Sequence, residues 1–81
     1  MTHQNEPITG AQHAFILKLM QAIGKPGFRL AKRMANVPVE TTLLNLTKVQ
    51  AQPTIGKMIY IKNRPNQFRE ALKQEAEGTT R

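Results

Sequence analysis

The chain has 81 residues, a length that limits it to one small domain. Its formal net charge of +7 favours a polyanionic partner. It contains no cysteine, so disulfides, thiolate metal sites and cysteine nucleophiles are excluded. The N-terminus lacks the pattern of a signal peptide, and the longest apolar run, AFIL, is far shorter than the roughly 20 residues of a membrane helix. We therefore expect a cytoplasmic protein with no membrane partner.

Acidic residues are almost absent from the middle of the chain. Between Pro7 and Arg69 only Glu40 is acidic, and the other acids lie near the two ends. The same span contains ten basic residues, which are Lys18, Lys25, Arg29, Lys32, Arg33, Lys48, Lys57, Lys62, Arg64 and Arg69. Such a field attracts nucleic acid first, with acidic protein surfaces or anionic lipid as alternatives. A charge excess can also serve solubility alone.

The first part of the chain predicts a tail followed by an amphipathic helix. Residues 1–8 are polar and are expected to be a disordered tail, and residues 9–78 to form a single helical domain. A helix starting at Thr9 is predicted from apolar residues at helical spacing, which are Phe15, Ile16, Leu19, Met20 and Ile23. Gly24, with Pro26 just beyond it, predicts the end of this helix.

Two short helices are predicted next. The first, residues 28–35, turns Phe28, Leu30, Ala31 and Met34 inward and carries Arg29, Lys32 and Arg33 on its outer edge. Pro38 prevents its continuation, because proline lacks an amide and disfavours a helical conformation at the preceding residue. The second helix, residues 38–49, has Glu40 in its first turn, where the helix dipole favours an acid. Its β-branched residues would also suit a strand.

The last part of the chain predicts two further helices. Thr54 can serve as an N-cap for a helix through residues 57–62, although KMIYIK also alternates as a strand would. Pro65 opens the final helix and Gly78 closes it. The expected fold is therefore all-α, a small bundle of about five short helices in which a helix-turn-helix is one possible arrangement. Its expected core comprises Phe15, Leu19, Leu30, Met34, Leu43, Leu46, Ile59 and Leu72.

The stretch FRLAKRMANVPVETTLLNLTKVQAQPT resembles the helix-turn-helix domains of the Cro-type phage repressors, over about residues 15–61. Leu30 and Ala31 match the Leu-Ala pair of that family, and Pro53 matches its loop proline. Pro38 departs from the pattern, because the family usually has Ser or Thr at that position.

The resemblance implies a recognition helix over residues 38–49 and a set of DNA contacts. The residues implied to face the major groove are Thr41, Thr42 and Asn45, and those implied to contact phosphates are Arg29, Lys32, Arg33 and Lys48. A homodimer is also implied, because one such module seldom supplies enough specific affinity. The alternative is that these side chains form the solvated face of a helical bundle.

No arrangement of residues indicates catalysis, a metal site or a cofactor. His3 and His13 lack further ligands nearby, and the chain contains no aspartate. We therefore expect a protein that is not an enzyme. The leading function is a small DNA-binding regulator of phage or plasmid type, and the alternative is a basic protein that binds and inhibits or adapts a host protein. RNA binding is a third possible function, but the chain has few aromatic residues on which bases could stack.

Overall fold

Three α-helices and one short 3₁₀ turn make up the regular structure of the described residues. The computed structural model describes residues 6–78. In chain order, the elements are α1 (Gly10–Met34), the 3₁₀ turn (Leu43–Asn45), α2 (Lys48–Asn63) and α3 (Arg69–Gly78). The all-α prediction is confirmed, and the expected number of about five short helices is wrong.

The helix α1 begins at a capping box. The backbone N–H of Gln12 donates to Thr9 Oγ1 at 3.0 Å, and the N–H of Thr9 donates to Gln12 Oε1 at 3.1 Å. Two backbone donors that the first helical turn leaves without partners are satisfied in this way. The predicted start of the helix at Thr9 therefore matches the structure.

The helix α1 bends at the point where the sequence predicts two separate helices. Gly24 adopts φ 76° and ψ 177°, a left-handed conformation that glycine accepts without steric cost. Helix resumes directly after Gly24, and Pro26 then lies in the first turn, where its missing N–H has no helical acceptor to lose. At Gly27, a Cβ atom would collide with the side chain of Ile23, so the bend packs tightly. The predicted stop is therefore a kink within one element.

The predicted helix over residues 38–49 is wrong. Residues 36–47 form an irregular loop that contains only the 3₁₀ turn, and α2 begins at Lys48. A second capping box sets this start, since Gln50 N–H donates to Thr47 Oγ1 at 3.2 Å and Thr47 N–H donates to Gln50 Oε1 at 3.1 Å. The T-x-x-Q pattern of TKVQ therefore determines where the helix starts more strongly than Pro38 does. The helix begins at Lys48, near the end of the predicted helix over residues 38–49.

The segment 57–62 is helical, which resolves the alternative of a strand in favour of a helix. Pro53, expected in a loop, and Thr54, expected as an N-cap, both lie inside α2. Pro53 cannot donate to the carbonyl of Val49, so α2 lacks one backbone hydrogen bond at this turn. Thr54 is buried, and its hydroxyl donates to the Gln50 carbonyl at 2.9 Å.

One core lies where α2 and α3 pack against α1. Its buried apolar residues are Ile16, Leu19, Phe28, Leu30, Ala31, Val37, Leu46, Ala51, Met58 and Ile61. Of the expected core, Leu19, Leu30 and Leu46 are buried, and the three residues Met34, Leu43 and Leu72 are partly buried against it. Phe15 and Ile59 are 41% and 37% exposed, so their placement in the core was wrong. The neighbouring residues Ile16 and Met58 are fully buried instead. The apolar residues of α1 and α2 cover a wider part of each helix surface than the part that packs against the core.

The N-terminal segment attaches to the start of α2. The Lys48 N–H donates to the Glu6 carbonyl at 2.7 Å, and Pro7 forms an isolated antiparallel bridge with Thr47. Ile8 packs against the core. Of the expected tail, residues 1–5 lie outside the described part of the chain. At the other end, α3 begins after a turn over residues 65–68 rather than at Pro65.

Candidate nucleic-acid interface

Two of the predicted phosphate contacts are ion-paired to α3. Arg33 Nε donates to Glu75 Oε2 at 2.8 Å, and Arg29 Nε lies 3.4 Å from Glu75 Oε1. The Glu75 side chain is only 10% exposed. The hydrogen bond from Arg33 lowers the pKa of Glu75 and raises that of Arg33, while partial burial of the carboxylate acts against the lowering. These arginines join α1 to α3, and their charge is partly neutralised.

A third predicted phosphate contact, Lys32, points into the protein. The residue is only 4% exposed, so its placement on the outer edge of the helix was wrong. Its Nζ donates to the carbonyls of Val39 and Thr41 at 2.7 and 2.6 Å, and it lies 4.4 Å from the centroid of the Phe28 ring. Burial lowers the pKa of Lys32, and the charge of Arg29 lowers it further. The apolar part of the Lys32 side chain is buried, and its ammonium holds the irregular loop through the two hydrogen bonds to the loop carbonyls.

The predicted base contacts do not share a helical face. Thr42 and Asn45 are exposed and flank or lie in the 3₁₀ turn, whereas Thr41 is half-buried and its carbonyl accepts from Lys32. The irregular loop therefore brings Thr42 and Asn45 near each other without forming an element that could enter a major groove. Lys48 is the first residue of α2, and its ammonium lies 3.8 Å from the Glu6 carboxylate.

A different group of cations is free of acidic neighbours. We define the basic patch as Lys57, Lys62 and Arg64 at the C-terminal end of α2 together with Lys18 of α1. Ion pairs within the described part of the chain involve Arg29, Arg33 and Lys48, and none involves the basic patch. The sequence has no acid between Glu40 and Glu70. The charge of the patch is therefore uncompensated by acids of α2 or by an ion pair with any described residue.

A groove lies between Lys18 and Lys62, two residues of the basic patch. It has a volume of about 340 Å³ and is lined by Phe15, Lys18, Leu19, Ile59, Lys62 and Asn63. Lys18 on α1 and Lys62 on α2 therefore flank an apolar floor that includes the exposed parts of Phe15 and Ile59. No acid lines this groove. Its chemistry suits a ligand that is negatively charged and partly apolar.

On the other side of α2, an exposed aromatic ring lies between two cations. Lys57, Tyr60 and Arg64 occur at spacing i, i+3, i+7, which places them along one face of the helix. The Arg64 guanidinium carbon lies 4.1 Å from the centroid of the Tyr60 ring. Phe68 contacts the same ring at 5.5 Å between centroids, with an angle of 68° between the planes. Arg64 covers a face of the tyrosine, and Phe68 fixes the tilt of the ring.

The sequence analysis missed the basic patch as a site although its signal was present. All four cations contribute to the overall charge, but the resemblance to the helix-turn-helix family implies phosphate contacts only within residues 29–48. The informative feature is the absence of acids along the whole of α2. The acids Glu70, Glu75 and Glu77 follow closely in α3, and the fold delivers Glu75 to α1 instead.

Comparisons with protein-family models, with curated proteins and with solved structures find no match to this chain. Within residues 6–78, no helix combines the length and the apolar character needed to cross a bilayer.

Proposed function

We propose that this chain is a small DNA-binding protein that holds the phosphate backbone with the basic patch. The observation that carries the proposal is the segregation of charge. Arg29 and Arg33 of α1 are ion-paired to Glu75 of α3, while Lys18, Lys57, Lys62 and Arg64 have no ion pair with any described residue. Uncompensated lysine and arginine side chains displace the counterions condensed on DNA, which supplies most of the affinity of non-specific binding.

The proposal keeps DNA as the ligand and changes the surface that contacts it. The role of a transcription regulator depended on a recognition helix over residues 38–49, and an irregular loop occupies that position. Phosphate contacts from the basic patch would fix the position of the protein on DNA without reading its sequence. Asn63, which lines the groove beside Lys62, offers a side-chain amide for contact with a base edge. The homodimer stays a prediction.

Binding to a labelled duplex of random sequence, measured by fluorescence anisotropy over a range of salt concentrations, tests this proposal. We expect log K to fall linearly with log salt, by about 0.9 for each phosphate neutralised. Lys57→Gln and Lys62→Gln should each reduce the slope by about one unit. Lys73→Gln removes the same charge from an exposed position on α3 and should leave the slope nearly unchanged. Absence of binding at low salt would refute the proposal.

The apolar floor of the groove favours a second candidate function, binding to a protein. Phe15 and Ile59 are exposed between Lys18 and Lys62, an arrangement that suits an acidic amphipathic helix of a partner. The variant Lys18→Glu with Lys62→Glu should abolish capture of such a partner from host lysate, while Lys73→Glu should not. Capture that survives the first variant would place the partner elsewhere.

A further inference from the structure

The face of α2 that carries Tyr60 has the composition of a base-stacking site. We propose that an unpaired nucleobase stacks on the face of the Tyr60 ring that Arg64 covers, so that DNA with unpaired bases is the preferred ligand. This inference rests on the proposed DNA-binding function and adds a class of substrate to it.

The exposure of Tyr60 is the first argument. The residue is 38% exposed, and the exposed positions about one turn before and after it on the same face of α2 are Gly56 and Asn63. The core does not need this ring, since Met58 and Ile61 supply the buried contacts of the same turns. A solvent-exposed ring that is held by the edge contact with Phe68 is already oriented for a planar ligand. Little conformational freedom would be lost when a base stacks on it.

The position of Arg64 is the second argument. Its guanidinium is planar and weakly hydrated, and it lies against the ring at 4.1 Å as a base would. Arg64 is exposed and has no ion pair with a described residue, so nothing but the ring itself holds it there. When a base takes this face, the flexible side chain can move outward to a neighbouring phosphate. The Arg64 guanidinium therefore stays in the complex, where it contacts a phosphate instead of the Tyr60 ring.

The spacing of the cations is the third argument. Lys57 lies about one turn before Tyr60, and Arg64 about one turn after it. A nucleotide stacked on the ring would therefore have a cation near the phosphate on each side. Stacking with flanking phosphate contacts is how proteins hold single strands with little sequence preference. Duplex DNA keeps its bases paired and stacked, so it can use only the phosphate contacts.

The chain contains its own probe for this site. Tyr60 is its only tyrosine and it has no tryptophan, so intrinsic fluorescence reports on this one ring. We would titrate the protein with oligothymidine of about 12 nucleotides, a length within the usual range of single-strand sites, and with a duplex of equal length. Oligothymidine should quench more than half of the emission at saturation. The duplex, whose binding is followed independently by anisotropy, should quench only a small part.

Two matched substitutions complete the test. Tyr60→Leu removes the aromatic ring and should weaken oligothymidine binding on the order of tenfold, with less than a twofold change for the duplex. Tyr60→Phe retains the ring and should bind both ligands as the wild type does. Arg64→Gln should weaken both ligands to a similar extent, because a phosphate contact is common to them.

The outcomes separate the inference from the proposed function. Binding of oligothymidine without quenching, or equal weakening of both ligands by Tyr60→Leu, would overturn the stacking site and leave DNA binding intact. Failure of both ligands to bind at low salt would refute the proposed function, and the stacking site with it. Selective quenching together with selective weakening would support both.

Discussion

The two basic ends of the long helices look alike in sequence and differ in structure. The last two turns of α1 carry Arg29, Lys32 and Arg33, and the C-terminal half of α2 together with its C-cap residue carries Lys57, Lys62 and Arg64. In α1, two cations share Glu75 and the third is buried against carbonyl oxygens. At the C-terminal end of α2, Lys57, Lys62 and Arg64 have no ion pair with a described residue. Three cations therefore hold the fold at the end of α1, whereas the three at the end of α2 have no ion pair with a described residue.

The difference arises from where the acidic residues fold. Glu75 lies near the end of the sequence, but α3 packs against α1 and brings this carboxylate to Arg29 and Arg33. The fold thus compensates a basic helix with an acid that is 42 residues away from Arg33. A basic run becomes a candidate for phosphate binding only if the tertiary structure leaves it uncompensated.

The largest expected effect belongs to the buried lysine. Lys32→Met keeps the apolar stem and removes the donor to the carbonyls of Val39 and Thr41. We expect the free energy of unfolding to fall by about 3 kcal/mol, because two carbonyls in a partly buried site lose their donor. Urea denaturation measures this loss. Lys25→Met, at an exposed position of the same helix, is the control and should change stability by less than about 0.5 kcal/mol. If Lys32→Met and Lys25→Met lowered the free energy of unfolding equally, the hydrogen bonds of Lys32 to the loop carbonyls would not contribute to stability.

A smaller loss of stability is expected for the shared carboxylate. Glu75→Gln retains the shape of the side chain and removes the charge that holds Arg29 and Arg33. We expect a loss of about 1 kcal/mol, because the Arg33 side chain is 56% exposed and its ion pair is screened by solvent. Glu70→Gln, on the exposed side of α3, should have a smaller effect. Indistinguishable values would mean that the ion pair does not stabilise the packing of α3.

The same carboxylate predicts how stability depends on pH. The pKa of Glu75 is lowered in the folded protein from its ordinary 4.5, so the unfolded chain binds the proton more readily. Its contribution is complete above the ordinary pKa and is lost as pH falls below about 4.5 through the lower, folded-state pKa. Urea denaturation at a series of pH values should show a shallower decrease for Glu75→Gln than for the wild type. If the stability of the wild type and of Glu75→Gln decreased in parallel with falling pH, groups other than Glu75 would be responsible for the loss of stability in acid.

The basic patch should show almost no effect on stability. Lys62→Gln removes a charge that no described residue compensates, so the free energy of unfolding should change by less than about 0.5 kcal/mol. The same variant is expected to weaken DNA binding. Thermal denaturation and anisotropy on one protein preparation measure both properties. A destabilisation above about 1 kcal/mol would show that Lys62 supports the fold in the way that Lys32 does.

Local patterns predicted part of this architecture well. The apolar spacing of Ile16 and Leu19, the start of α1 near Thr9 and an interruption at Gly24 all reflect interactions within a few residues of one another, and such signals are legible in a sequence. The helix over residues 38–49 failed because apolar residues at helical spacing also occur in a loop that buries Leu46 and part of Leu43. A capping box at Thr47 outweighed that spacing.

The partners of the cations could not be read from the sequence. Whether Arg33 contacts a phosphate or a carboxylate depends on how α3 packs, and the burial of Lys32 depends on the path of a loop with no regular pattern. The exposed position of Tyr60 likewise follows from the rotation of α2 about its axis. These are consequences of tertiary packing, which no local window of the chain contains.

The most direct test of the central claim compares two double variants of equal charge. Lys18→Gln with Lys62→Gln removes two charges from the basic patch, and Arg29→Gln with Arg33→Gln removes two charges from the contact with Glu75. The salt dependence of duplex binding is measured for both. We predict that the first variant lowers the slope of log K against log salt by about 1.8, for two lost phosphate contacts, and that the second leaves it within about 0.5 of the wild type. Equal reductions would show that only net charge matters, and a larger reduction in the second variant would contradict the account.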